Sequence, residues 1–286
     1  MIDLHTHTTS SDGRCSPAEL VSRASAAGVE VLSVTDHDTT AGATASAAEC
    51  AKAGVEFIPG IEITAVIAGV DVHVLGYFID PQADALASFL AQQRERRVDR
   101  VRQMVARLAA LGIVLDADAI LRPSQTGQGK AAGRPWIARA LVDGGHVATT
   151  SEAFERYLKN GAPAFVPRVG PAPAEVFEQI HRANGIASLA HPGLLKRDEL
   201  IPDFVASGLD AIEAFHSKHS PDDTRRYLAH ARQHRLAVSG GSDYHGDPSH
   251  DVGAPGSTAL PTELFQDLRG RCATRRATAS GLSTSS

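Results

Sequence analysis

Cysteine is scarce in this chain: Cys15, Cys50 and Cys272 are the only three in 286 residues. The number is odd, the three are far apart and no CxxC pair exists, so they read as reduced packing residues of a cytoplasmic protein. Long apolar runs are also missing. None approaches the roughly 18 residues that span a bilayer, so no membrane partner is expected. Positive charge is not in excess, because the formal net charge is −5. That excludes an overall basic surface for long duplex nucleic acid, while a locally positive pocket stays open. A ligand-bearing strand begins at once, which leaves no room for a signal peptide ahead of it. The glycine-rich stretch Ser124-Gln-Thr-Gly-Gln-Gly-Lys130 lacks the Walker spacing, so it is not a P-loop.

Histidine is abundant, with 13 residues. The chain opens Met1-Ile-Asp-Leu-His5-Thr-His7-Thr. In a strand, side chains two apart share a face, so both imidazoles aim at one spot just past the strand end, with Asp12 following. Two such imidazoles and a carboxylate suit Zn, Mn or Fe.

A strand–helix rhythm comes next. Ser16-Pro-Ala-Glu19 is a capping box with Pro at the first helical position, opening a helix to about Ala27. Val29 to Thr35 reads as a buried parallel strand ending in Asp36-His37-Asp38. An Ala-rich helix stops at Gly54. Val55 to Thr64 then gives a short strand, a Pro59-Gly60 turn and a second extended piece carrying Glu62. Ala68-Gly69 is a tight turn, and Val70 to Ile79 returns with His73 inside it. After about Pro81 strand signals vanish, and helical stretches are expected at Ala83–Leu111, Asp116–Leu121, Arg134–Val142 and Ser151–Leu158. The rhythm resumes near Ala164, with strands ending at His191, at His216 and at Asp243-Tyr-His245. The fold class is therefore α/β. The expected domains are a barrel from 1–80 and 162–277, a helical insertion at 81–161 covering the active site, and an unstructured Ser/Thr-rich tail at 278–286.

One histidine at a strand end is ordinarily a satisfied polar residue. Six histidines (5, 7, 37, 73, 191, 245) and three carboxylates (12, 62, 243) at or near strand ends are not, because parallel barrel strands bring those ends to one face. Nine donors exceed one site, since a catalytic metal takes about three protein ligands. Clustered divalent ions suit phosphate-ester hydrolysis, because they lower the pKa of water and clamp the attacking and leaving oxygens.

His5-x-His7, Thr-Asp-His37-Asp, Gly-Ile-Glu62, His73, Ala-His191-Pro-Gly and Ser-Asp243-Tyr-His245 together resemble the motif set of the PHP (polymerase and histidinol phosphatase) family. The resemblance implies a distorted (β/α)7 barrel holding up to three divalent ions, often Mn2+, with Mg2+, Zn2+ or Fe2+ as alternatives. It implies one ion on His5, His7, Glu62 and Asp243. A second would share Glu62 with His73 and His191, and a third would sit on Asp12, His37 and His245. Lys130-Ala-Ala-Gly-Arg134-Pro-Trp136-Ile-Ala resembles a segment of the branch containing the 3′,5′-nucleotide bisphosphate phosphatases and the 5′→3′ exoribonuclease RNase AM, with Trp136 where His is common.

The resemblance implies a phosphoric monoester hydrolase taking the 3′-phosphate from small 3′,5′-bisphosphates such as pAp. The alternatives are a 5′→3′ exonuclease on short RNA ends, a histidinol-phosphate phosphatase and a non-catalytic regulatory module. Arg134, Lys130 and His216 are the expected substrate contacts. His191, Asp243 and Arg134 are expected to carry the reaction, the general acid lying between His191 and water. Asp36 is expected to orient a ligand histidine and Asp38 to cap the next helix. Trp136 and Tyr244 are candidate base platforms, each weighed against simple packing.

Overall fold

A computed structural model describes residues 1–125, 133–248 and 251–282. Seven strands form one sheet in chain order: β1 (Ile2–Asp3), β2 (Val31–Val34), β3 (Glu56–Ile67), β4 (Val70–Tyr77), β5 (Ile186–Leu189), β6 (Ala211–His216) and β7 (Ala237–Gly241). Every pairing is parallel except those of β4, which runs antiparallel to β3 and β5. The sheet curls into a nearly closed barrel. Leu4 N donates to Gly240 O at 3.2 Å, and a parallel bridge joins Thr6 to Tyr244.

Local chemistry explains the elements. Helix α1 (Pro17–Ala26) carries the full capping box: the Ser16 side chain accepts from Glu19 N, and the Glu19 carboxylate accepts from Ser16 N. Helix α2 (Ala43–Ala53) ends at Gly54, whose φ of 68° is the left-handed cap that glycine adopts without penalty. Ala68 and Gly69 both have positive φ, as a two-residue hairpin turn requires.

Pro59-Gly60 is not a turn. β3 runs straight through it and changes partner there: Pro59 pairs with Val34 of β2, and Gly60 with Tyr77 of β4. A Cβ on Gly60 would lie 2.3 Å from Ser33 Oγ, so the crossing needs glycine.

The chain divides into two compact units, Met1–Phe89 with Pro171–Ser286, and Leu90–Gly170. The expected boundaries, 80/81 and 161/162, fall about nine residues earlier at each side. The shift arises because composition changes at Pro81, whereas helix α3 (Asp84–Ala110) starts in one unit and ends in the other. The second unit continues with α4 (Ala117–Gln125), α5 (Arg134–Asp143), α6 (Thr150–Ala153) and a π-helical turn, Phe154–Leu158. Among the described residues its buried side chains are apolar apart from Gln93, and they centre on Met104, Leu108, Leu121, Ile137 and Leu141.

The first unit adds α7 (Pro173–Arg182), α8 (Pro192–Leu195), α9 (Ile201–Ala206), α10 (Pro221–His234) and α11 (Thr262–Leu282). The last reaches Leu282. It runs into the supposed tail, so residues 278–282 are helical. The Thr278 hydroxyl donates to Thr274 O one turn back, so this side chain finds its partner within the helix itself. Among the described residues no helix is long and apolar enough to cross a membrane.

Candidate metal centre

The centre is built where the two ends of the chain meet. Asp243 N donates to His5 O at 2.8 Å and His7 N to Tyr244 O at 2.9 Å, so the segments bearing His5, His7, Asp243 and His245 are stitched together. Two glycines make the fit possible. A Cβ on Gly241 would sit 2.3 Å from His5 N, and one on Gly13 would sit 2.6 Å from the His7 carbonyl carbon. Two donors stand on left-handed backbone, Asp243 with φ 55° and His191 with φ 27°. Such conformations are costly for non-glycine residues and persist where surrounding structure enforces them, often at functional sites.

Glu62 is the hub. Its Oε2 lies 3.3 Å from His5 Nε2, 3.3 Å from His7 Nε2 and 3.2 Å from His37 Nδ1. Its Oε1 lies 2.8 Å from His73 Nδ1 and 3.1 Å from His191 Nε2. Asp243 Oδ1 faces the first pair again, 3.3 Å from His5 Nε2 and 3.2 Å from His7 Nε2. Asp12 stands apart from Glu62 and joins the other histidines, at 3.7 Å from His37 Nε2 and 3.5 Å from His245 Nε2. The structure thus brings all nine sequence-selected donors together in one unit. Donor atoms gather within 4.8 Å in the sets His5–His7–Glu62, His37–Glu62–His73 and His7–Asp12–His37–His245. His216 joins His5 and Asp243 in a further set.

Burial shows what is missing from an all-protein account. Glu62 is fully buried, and Asp243 is nearly so. Burial alone would raise the Glu62 pKa, yet the imidazoles of His37, His73 and His5 hold it well below the carboxylate range. Burial pulls His7 down, but the Asp243 and Glu62 carboxylates outweigh it and push the ring up to about 10. Burial lowers His37 to about 4. Even so, both His7 nitrogens and His37 Nδ1 make no hydrogen bond among the described residues. Orphaned buried nitrogens beside carboxylate oxygens are costly in a protein interior. Divalent cations satisfy both at once, so the donor set fits such ions.

This chain is 38% identical to a 3′,5′-nucleoside bisphosphate phosphatase of Chromobacterium violaceum, over 88% of this chain and 90% of that one. A PHP domain model matches residues 3–123. The chain belongs to the PHP family. Another relative, the 5′-3′ exoribonuclease Rnm of Salmonella typhimurium, is 38% identical over 85% of this chain and 84% of its own. The solved structure of a metal-dependent phosphoesterase from Bifidobacterium adolescentis superposes with a TM-score of 0.80 at 33% identity, covering 94% of this chain and 95% of that one.

Asp36, Asp38 and Tyr244 of this PHP protein have other roles than expected. Asp36 serves a loop rather than a ligand histidine. It accepts from Thr8 N, Thr8 Oγ1 and Ser11 Oγ at 2.6–2.7 Å, fixing the loop between His7 and Asp12. Asp38 does not cap α2, whose N-cap is Gly42; its carboxylate accepts from Thr64 N at 3.0 Å on β3. Tyr244 is no base platform, because it is buried in the core beside Cys15 and Leu20 with its hydroxyl bonded to Arg23. Trp136 packs against the apolar core of the helical unit. Arg134 lies 5.8 Å from the Phe154 and Phe165 ring centroids within that unit. His216 is buried, with Nδ1 accepting from Lys218 N and Nε2 3.3 Å from Asp243 Oδ2. Lys130 lies outside the described residues.

Sequence reasoning missed two buried carboxylates. Asp3 accepts from Ser242 N, Ser242 Oγ and Gly256 N, tying the two ends of the chain beneath the centre. Glu213 lies 2.9 Å from His5 Nδ1. A lone charge in the apolar run Ala211-Ile-Glu-Ala-Phe215 is the signal that could have found it.

Proposed function

We propose that this protein is a divalent-metal-dependent phosphomonoesterase that removes the 3′-phosphate of small 3′,5′-nucleoside bisphosphates such as pAp. The observation that carries the reading is the buried donor cluster around Glu62, in which, among the described residues, both His7 nitrogens and His37 Nδ1 make no protein hydrogen bond. The substrate class is supported by the Chromobacterium violaceum relative. Three ions, Mn2+ foremost, suit the number of donors. Ions bound there would supply positive charge to the phosphoryl oxygens and acidify water.

The chain's own groups do the rest. Glu62 and Asp243 hold the ligand imidazoles in place. The candidate proton donor to the leaving oxygen is His191, at the edge of the cluster, or a water; burial lowers the His191 pKa, which favours its neutral, ligating form. Arg134 is the proposed anchor for the phosphate that is not cleaved, since its planar fork matches two phosphate oxygens. Lys130 and His216 are proposed to assist, and covering of the metal face by the helical unit belongs to the same proposal. The three cysteines are free and buried, which supports a cytoplasmic setting.

A charge-assisted bidentate contact contributes roughly 1.5–3 kcal/mol. Arg134→Ala should therefore lower kcat/KM about tenfold to a hundredfold for pAp, and much less for 3′-AMP, which lacks the second phosphate. Equal losses on both would remove Arg134 from that role. The equally similar exoribonuclease favours a second reading, 5′→3′ trimming of short RNA. Turnover of a 5′-phosphorylated trinucleotide beside pAp decides between them, and a clear preference for the RNA would overturn the phosphatase reading.

A further inference from the structure

Strand β6 carries two ionisable side chains, Glu213 and His216, three positions apart. On a regular strand such positions face opposite sides of the sheet. Here both are buried and both reach the metal centre, Glu213 at His5 and His216 at Asp243. The pairing with β7 explains this. Glu213 pairs with Ser239 and Phe215 with Gly240, so Ala214 is an extra residue in β6. A bulge of this kind resets the alternation of side chains and is frequent beside active sites. The bulged segment is pinned from outside, where His219 Nδ1 donates to Ala214 O at 3.0 Å and His219 Nε2 accepts from Gly193 N at 3.1 Å.

Glu213 uses both carboxylate oxygens. Oε1 accepts from His5 Nδ1 at 2.9 Å, and Oε2 accepts from the backbone N of His191 at 2.7 Å. The first bond fixes a proton on His5 Nδ1 and turns Nε2 toward the centre, 3.3 Å from both Glu62 Oε2 and Asp243 Oδ1. The second holds His191 in its left-handed backbone, with φ 27° and ψ 57°. His5 belongs to the donor group of β1 and His191 to the group that shares Glu62 Oε1. One fully buried carboxylate therefore bridges the supports of two ligand groups that have no covalent link nearby.

We propose that Glu213 is a positioning residue that ties the His5 ligand set to the His191 ligand set, so that both lose metal affinity together when it is replaced. The proposal rests on the metal-centre reading above. Carboxylates behind ligand histidines commonly change metal affinity about ten- to a hundredfold when removed.

The test is Mn2+ binding to the metal-stripped full chain, by calorimetry and by metal content after gel filtration, with Co2+ absorption as a spectroscopic readout. Wild type, Glu213→Gln, Glu213→Asp and Asp12→Asn are compared, together with the melting temperature of each metal-free form. Glu213→Gln keeps the shape but turns one acceptor into a donor facing His191 N. It should weaken more than one Mn2+ by about tenfold or more and change the Co2+ spectrum, with the metal-free melting temperature close to wild type. Asp12→Asn should weaken only the ion of the Asp12 set. Should the Gln variant fail to fold, Glu213→Asp retains the charge with a shorter reach, and affinity intermediate between wild type and a full loss is expected. Wild-type affinity, stoichiometry and Co2+ spectrum in a folded Glu213 variant would overturn the proposal and leave the metal centre standing. A wild type that binds no ion would overturn both.

Discussion

The two units of this chain solve opposite problems. The helical unit has an interior of Leu, Ile, Met, Val and Ala, with its arginines and acids outside. The barrel unit buries Asp3, His5, His7, Glu62, Glu213 and Asp243. It also holds two of its nine ligand-set residues on left-handed backbone. In the first, apolar burial supplies stability directly. In the second, part of that stability is given up to hold like charges close together, and cations must offset the cost. Substitutions should therefore change stability in one unit and metal binding in the other.

The largest effect is expected at the hub. Glu62→Gln removes the carboxylate common to two donor sets, so it should abolish tight binding of at least two ions. Phosphatase activity should fall by several kcal/mol of barrier, on the order of a thousandfold. The metal-free melting temperature should barely move, because the variant also loses a buried charge. Calorimetry and metal content check this, and a cooperative collapse of the metal-free fold would contradict the contrast between the units.

Leu141→Ala should do the reverse. Leu141 is wholly buried in the helical core, and such a truncation costs about 2–5 kcal/mol. Denaturant unfolding should show the loss, while Mn2+ stoichiometry of the folded protein stays at the wild-type value.

A smaller effect concerns pH. His7 in the metal-free chain is pushed up to about 10, burial being outweighed by Asp243 and Glu62. It carries a proton at neutral pH, and a metal ion needs the bare nitrogen. Metal uptake should therefore release protons, and affinity should rise as pH increases toward 10. Titrations in two buffers of different ionisation heat measure the proton count; zero release would show that His7 is neutral before binding.

The smallest expected effect is ordinary helix chemistry. Ser16→Ala breaks the capping box of α1 and should cost about 1 kcal/mol without altering metal content. An equal-sized loss of affinity would mean that α1 helps to hold the Cys15 loop against the centre.

Much of the fold and the centre is legible in the sequence because it depends on periodicity and strand ends. His5 and His7 share a face by the two-residue repeat, and the candidate ligands His37, His191 and Asp243 sit where strands stop. The helices of the insertion are readable from apolar spacing alone. Glu213 shows only as a lone charge in an apolar run, and that His216 shares its side is not readable, because the bulge at Ala214 leaves no periodic mark. The roles of Asp36 and Asp38 escape sequence reasoning for a related reason. Their partners, the Thr8–Ser11 loop and β3, are remote in sequence and near only in the fold. Pro59-Gly60 looks like a turn by composition, and only the exchange of strand partners reveals it as a crossing.

The seam between the first and last strands has a consequence in time. Leu4 bonds to Gly240, His5 to Asp243 and His7 to Tyr244, so the first ligand set joins residues more than two hundred positions apart. On the ribosome His5 and His7 emerge long before Asp243 and Tyr244, their partners across the seam. Contacts of such sequence separation form late and slowly. The nascent protein can thus offer His5 and His7 as a loose pair but not as a closed ligand cage. Metal selection is expected to fall after release from the ribosome, when the seam closes and the ions available in that compartment compete for a finished site.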